Sequence, residues 1–96
     1  MESFEPKKLA LIRIWQILKD YSDFNHPLTQ EDIAVKLQNE YGIILERKAI
    51  SRNISLLKEA GIDIESRRAG SYLECRDFED SELYMLIDGV LSSKYI

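Results

Sequence analysis

The sequence predicts an α+β domain of three helices, a two-stranded hairpin and a last helix, in that order. Three observations carry this. Apolar residues recur at helical spacing in three stretches before residue 61. From Ile62 to Cys75 the spacing shortens to the strand period around a small Ala-Gly turn. Beyond Asp77 the helical period returns in Leu83, Leu86, Ile87, Val90 and Leu91.

The first helix is expected over about residues 7 to 21. Pro6 suits its start, because the N–H that proline lacks would be unpaired there. Ala10, Leu11, Ile14, Ile17, Leu18 and Tyr21 share one face. Ile12 and Trp15 fall at the edge of that stripe, placed to pack on a neighbouring element. "SDFNHP" then breaks the pattern. The second helix lies in "LTQEDIAVKLQNEYG". Thr29 is its cap, and Asp32 three residues on approximates a capping box. Glu31 and Asp32 favour the positive end of the helix dipole. Ile33, Ala34, Leu37 and Tyr41 form its buried stripe, and Gly42 supplies the left-handed residue that ends it. Leu28, just before the cap, is placed to staple onto the helix.

The third helix is expected over about 47 to 60, weakly capped by Glu46 and ended by Gly61. Ile50, Ile54 and Leu57 share a face, flanked by Asn53 and Arg47. The opposite face carries Lys48, Ser51, Arg52 and Ser55, with Glu59 at its far end. In the hairpin Ile62, Ile64, Leu73 and Cys75 are the inward positions, Ala69-Gly70 is the turn, and Arg67 and Arg68 stand at the tip. Two strands alone are marginal, so the hairpin must lean on the helices. Asp80 or Ser81 can cap the last helix.

A chain of 96 residues makes one domain with a modest core. No apolar run approaches the ~18 residues that a membrane span needs. "MESFEPKKLALIRIW" has acids ahead of its apolar run and no small-residue cleavage site, so it does not read as a signal peptide. The single cysteine, Cys75, allows no internal disulfide and no cysteine-based zinc site, which points to a reducing cytoplasm. The formal charge of −4 is unevenly placed. Residues 1 to 76 hold equal numbers of cations and anions, whereas Asp77, Glu79, Asp80, Glu82 and Asp88 face one lysine in 77 to 96. Two regions follow: residues 1–76 as the folded domain with a basic surface, and 77–96 as an acidic linker or dimerisation helix.

Three helices followed by a hairpin is the winged helix-turn-helix arrangement. Its second helix crosses a DNA backbone and its third enters the major groove, about 12 Å wide. The exposed face of the third helix must then be cationic and rich in donors. Arg52 can reach guanine O6 and N7 together, and Lys48, Ser51 and Ser55 can serve bases or phosphates. Arg47 and Lys58, at opposite ends, suit phosphates. Arg67 and Arg68 on the wing can reach an adjacent minor groove or the backbone.

The segments "LTQEDIAVKLQNEYGI", "RKAISRNISLLKEAGIDIE" and "GSYLECRDFEDSELYMLIDGVLSSKYI" resemble the N-terminal part of bacterial WYL-domain transcriptional regulators, whose winged helix-turn-helix is related to the DeoR and biotin-repressor types. The resemblance runs from about residue 7 to 96. Its most specific element is the pattern Arg47, Lys48, Ile50, Arg52, Ile54 and Leu57, followed by Gly61-Ile62. The family usually shows Thr where this chain has Ala49, and Asp where it has Asn53. The second change removes an acid that could orient Arg52. The resemblance implies a C-terminal ligand-sensing domain beyond the acidic helix, so an effector would act through a domain absent from this chain. Either the chain is a fragment of a longer protein or it is a short stand-alone relative, and the end on "SSKYI" favours a fragment.

Other residues read as structural. His26 stands alone in a loop, Cys75 is a small core residue, and Trp15 belongs to a core or an interface. There is no glycine-rich phosphate loop, no nucleophile with an evident base and no pair of carboxylates in an apolar setting, so an enzyme is not expected and no cofactor or metal is implied. The expected partner is double-stranded DNA, with no membrane. A homodimer is expected through the stripe Leu83, Leu86, Ile87, Val90 and Leu91, helped by Ile12 and Trp15. The rival reading is a winged-helix module that binds another protein and no DNA.

Overall fold

Pro6 opens α1 (Pro6–Tyr21), as its missing N–H allows. The computed structural model describes the backbone of residues 6 to 74 and the side chains of residues 9 to 74. Within them α1 is followed by α2 (Gln30–Tyr41), α3 (Arg47–Glu59), β1 (Ile64–Arg67) and β2 (Gly70–Leu73). This is an α+β, winged-helix-like layout of three helices and an antiparallel hairpin.

α1 is the centre of the packing, against α2, α3 and β2. An element covered by three others needs apolar side chains around more than half its circumference. Ala10, Leu11, Ile12, Ile14, Trp15, Ile17 and Leu18 are accordingly all buried. Ile12 and Trp15 are therefore core residues, not edge residues left free to help a dimer. Trp15 Nε1 has no hydrogen-bond partner among the described residues, and the Lys19 ammonium lies 5.0 Å from the centre of its ring. Tyr21, placed on the stripe by its spacing, is 42% exposed instead. It falls on the last turn, where its phenol donates to Glu40 Oε2 at 2.6 Å. That bond raises the phenol above its ordinary pKa.

The signals around α2 act as the sequence suggests. Asp32 N–H donates to Thr29 Oγ1 and Thr29 N–H donates to Asp32 Oδ2, each at 3.0 Å, which completes the capping box. Gly42 takes φ 68° and its N–H donates to Gln38 O. Leu28, Ile33 and Leu37 join the core, with Ala34 and Tyr41 half-buried beside it.

α3 begins without a side-chain cap, since Glu46 makes no such bond. Its end is better secured. Gly61 at φ 96° donates to Lys58 O, and Ile62 N–H reaches back to Leu57 O, both at 3.0 Å. This is the paired closure that a left-handed glycine permits.

The hairpin pairs Ile64 with Leu73 and Arg67 with Gly70. The turn residues are thus Arg68 and Ala69, not Ala69 and Gly70. Neither has positive φ; Gly70 takes it instead, at 140°. The cause is a third chain segment. Leu28 and Ser71 exchange both backbone hydrogen bonds at 2.8 Å, so the loop before α2 adds one rung to the sheet. A Cβ on Gly70 would lie 2.5 Å from the Leu28 carbonyl carbon. With strand on one side and helices on the other, Ser71, Tyr72 and Leu73 are all buried, and strict alternation is lost in β2.

The last helix, Cys75, the acidic segment and the stripe from Leu83 to Leu91 lie outside the described residues. Among those described, no helix is long and apolar enough to cross a membrane.

Candidate nucleic-acid interface

The burial of Ile50, Ile54 and Leu57 decides what α3 shows to solvent. At 100° per residue, Lys48, Arg52 and Ser55 project from the far side, and all three are exposed. Arg47 and Lys58 are exposed as well, while Ser51 is half-buried. Arg47 and Lys48 occupy the first turn, which contains no acid. Cations at that end oppose the helix dipole, a disfavoured placement by about 0.3–1 kcal/mol each. An anion arriving there would relieve it.

Asn53 stands where the resembled family carries Asp. Its amide Nδ2 donates to Ala49 O of its own helix at 2.7 Å. One amide N–H is thereby committed to the backbone four residues back.

The wing's two arginines are not equivalent. Arg67 Nη2 donates to Phe24 O at 2.6 Å. Its guanidinium carbon lies 4.6 Å from the Phe24 ring centre and 5.0 Å from that of Tyr72. The two rings meet edge to face, 5.7 Å apart. Arg67 thus clamps the hairpin to the loop after α1. Arg68 is a turn residue, exposed, on the side of α3. Burial, with help from a hydrogen bond to Glu74, raises the Tyr72 phenol above its ordinary pKa.

Lys58 is the link between helix and wing. Its Nζ donates to Ser66 Oγ at 3.0 Å, and Ser66 Oγ is 2.9 Å from Ser71 Oγ. Between the start of α2, α3 and the wing lies a cleft of about 410 Å³. Gln30, Ser51, Ser55, Lys58, Ser66 and Arg68 line it. Within it Gln30 Nε2 donates to Ser51 Oγ, and Gln30 is exposed. The structure therefore brings Ser51, Ser55, Lys58, Arg67 and Arg68 to one recess, and leaves Arg47, Lys48 and Arg52 on the face of α3 outside its lining.

Gln30, Ser66 and Ser71 are lining residues that the sequence did not single out. Gln30 follows a strong cap and reads as an ordinary first-turn residue; its partner is 21 positions away. Chemically the recess offers hydroxyl, amide and cationic donors, which suit phosphate oxygens and base edges. Among the described residues no group of His, Cys, Asp or Glu is arranged to hold a metal ion. Compared with models of known families, with curated proteins and with solved structures, the chain finds no match.

Proposed function

We propose that this domain binds double-stranded DNA, with α3 in the major groove and the wing on the adjoining backbone. The observation that carries the reading is the cationic exposed face of α3. Ile50, Ile54 and Leu57 are buried in the core, and the exposed side of α3 holds Lys48, Arg52 and Ser55 next to a recess that offers donors. Any surface helix separates its faces; this one sets cations on its exposed face and in its first turn, where no acid offsets them and they run against the dipole. A helix of 13 residues is about 20 Å long, enough to follow the groove over several base pairs.

On this reading Arg52 reads a base edge, Lys48, Ser51 and Ser55 serve bases or phosphates, and Arg47, Lys58 and Arg68 hold phosphates. Arg67 touches DNA only if it leaves Phe24. The protein is a transcription regulator of the bacterial WYL type, working in the cytoplasm, and pairs through the stripe from Leu83 to Leu91 so that two copies span two half-sites.

The test is a salt titration with nonspecific duplex DNA. A binder that neutralises several phosphates loses affinity steeply, with a slope of about −0.9 per phosphate contacted. Weak binding that ignores salt would overturn the proposal in favour of a protein-interaction module. Sedimentation equilibrium over a wide concentration range tests the pairing, and a monomer at high concentration ends that part of it.

A further inference from the structure

A primary amide has two N–H bonds and one carbonyl oxygen. Gln30 commits one N–H to Ser51 Oγ. What remains is a donor and an acceptor side by side, on an exposed residue at the mouth of the cleft. Adenine presents the complement in the major groove, N7 as acceptor and N6 as donor. Guanine presents two acceptors there, thymine an acceptor and a methyl, cytosine a lone donor. An amide whose other N–H is already held cannot give guanine two donors.

We infer that Gln30 reads an adenine in the major groove, and that Ser51 is its positioning residue. The inference rests on the DNA-binding reading above and assigns a base to a residue that reading does not use. Ser51 then has a different task from its neighbours. It is half-buried on α3 and accepts the amide N–H, so the Gln30 side chain is held against the third helix instead of sampling its rotamers in water. Holding it costs entropy once, in folding, and not again on binding. Because no charge is involved, the pair contributes to base preference and leaves the salt dependence alone.

The experiment selects bound duplexes from a random pool with the full chain, as wild type, Gln30→Ala, Ser51→Ala, the double variant and Gln30→Glu. Circular dichroism and melting temperature confirm that each is folded. Wild type should favour adenine at one position, and Gln30→Ala should lose about tenfold of that preference there. Ser51→Ala should weaken the preference at the same position, and the double variant should resemble Gln30→Ala alone. Gln30→Glu, an acceptor only, should move the preference toward cytosine. Salt slopes should match wild type in the three variants that add no charge, Gln30→Ala, Ser51→Ala and the double variant. A wild type that binds duplex without an adenine preference overturns this inference and leaves DNA binding standing. So does a Gln30→Ala profile identical to wild type, or variants that disturb different positions. A wild type that retains no duplex overturns the DNA reading itself, and this inference with it.

Discussion

The hydroxyl of Ser22 accepts the backbone N–H of Leu73 at 3.0 Å, across 51 residues of chain. It also donates to Leu18 O at 2.6 Å, so one buried oxygen ties the end of α1 to β2. Ser22→Ala removes the partner of a buried N–H and puts nothing in its place. Loss of about 1–3 kcal/mol is expected, the cost of an orphaned buried donor. Urea unfolding should show it as a lower midpoint at unchanged slope. A midpoint equal to that of wild type would mean that water reaches Leu73.

Arg67 and Arg68 should separate on mutation. Arg68→Ala removes an exposed charge facing the cleft, so the salt slope of duplex binding should fall by about one unit with the melting temperature kept. Arg67→Ala releases the Phe24 carbonyl and two ring contacts, so it should lower the melting temperature and change the slope little. If Arg67→Ala instead lowers the slope as Arg68→Ala does, the guanidinium leaves Phe24 when DNA is bound.

Arg52→Ala should cost roughly 1–3 kcal/mol of specific binding and relax one base position other than that of Gln30. The side chain is exposed, so the fold should survive. Operator affinity equal to wild type would show that the middle of α3 does not face the bases.

Gly70 combines φ 140° with a backbone neighbour 2.5 Å from any added Cβ. Gly70→Ala should cost at least about 1–3 kcal/mol through the dihedral, before the clash with Leu28 is counted. Hydrogen exchange should locate the damage, with the Leu28 and Ser71 amides losing protection first.

The pH response should come partly from Asp23. Its Oδ1 is 2.9 Å from His26 Nδ1, and this bond lowers its pKa below the ordinary value of 3.8. A depressed carboxylate stabilises the fold above its unfolded pKa, and that contribution disappears as pH falls through the folded value. Asp23→Asn should therefore flatten the acid limb of the melting-temperature profile, below the ordinary carboxylate value of 3.8, and matter little to its shape at neutral pH. Identical acid limbs would show that the pair carries no linkage.

The sequence by itself determined the three described helices, because each was marked by local chemistry. Thr29 with Asp32 started α2, Gly42 and Gly61 ended α2 and α3, and the period of Ile50, Ile54 and Leu57 set which side of α3 faced out. These are interactions within a few residues, so a linear reading can see them. What tertiary structure alone decided were the places where distant segments meet. The hairpin turn moved by one residue because Leu28 pairs with Ser71 and requires a glycine at 70. Ile12 and Trp15 became core because α1 is covered by three elements instead of one. Arg67 lost its freedom at the tip because Phe24 and Tyr72 both pack against it. Gln30 entered the candidate site through Ser51, and Lys58 reached the wing through Ser66. A hydrogen bond between residues far apart in the chain leaves no periodicity and no local motif. It exists only once packing has brought its two ends together.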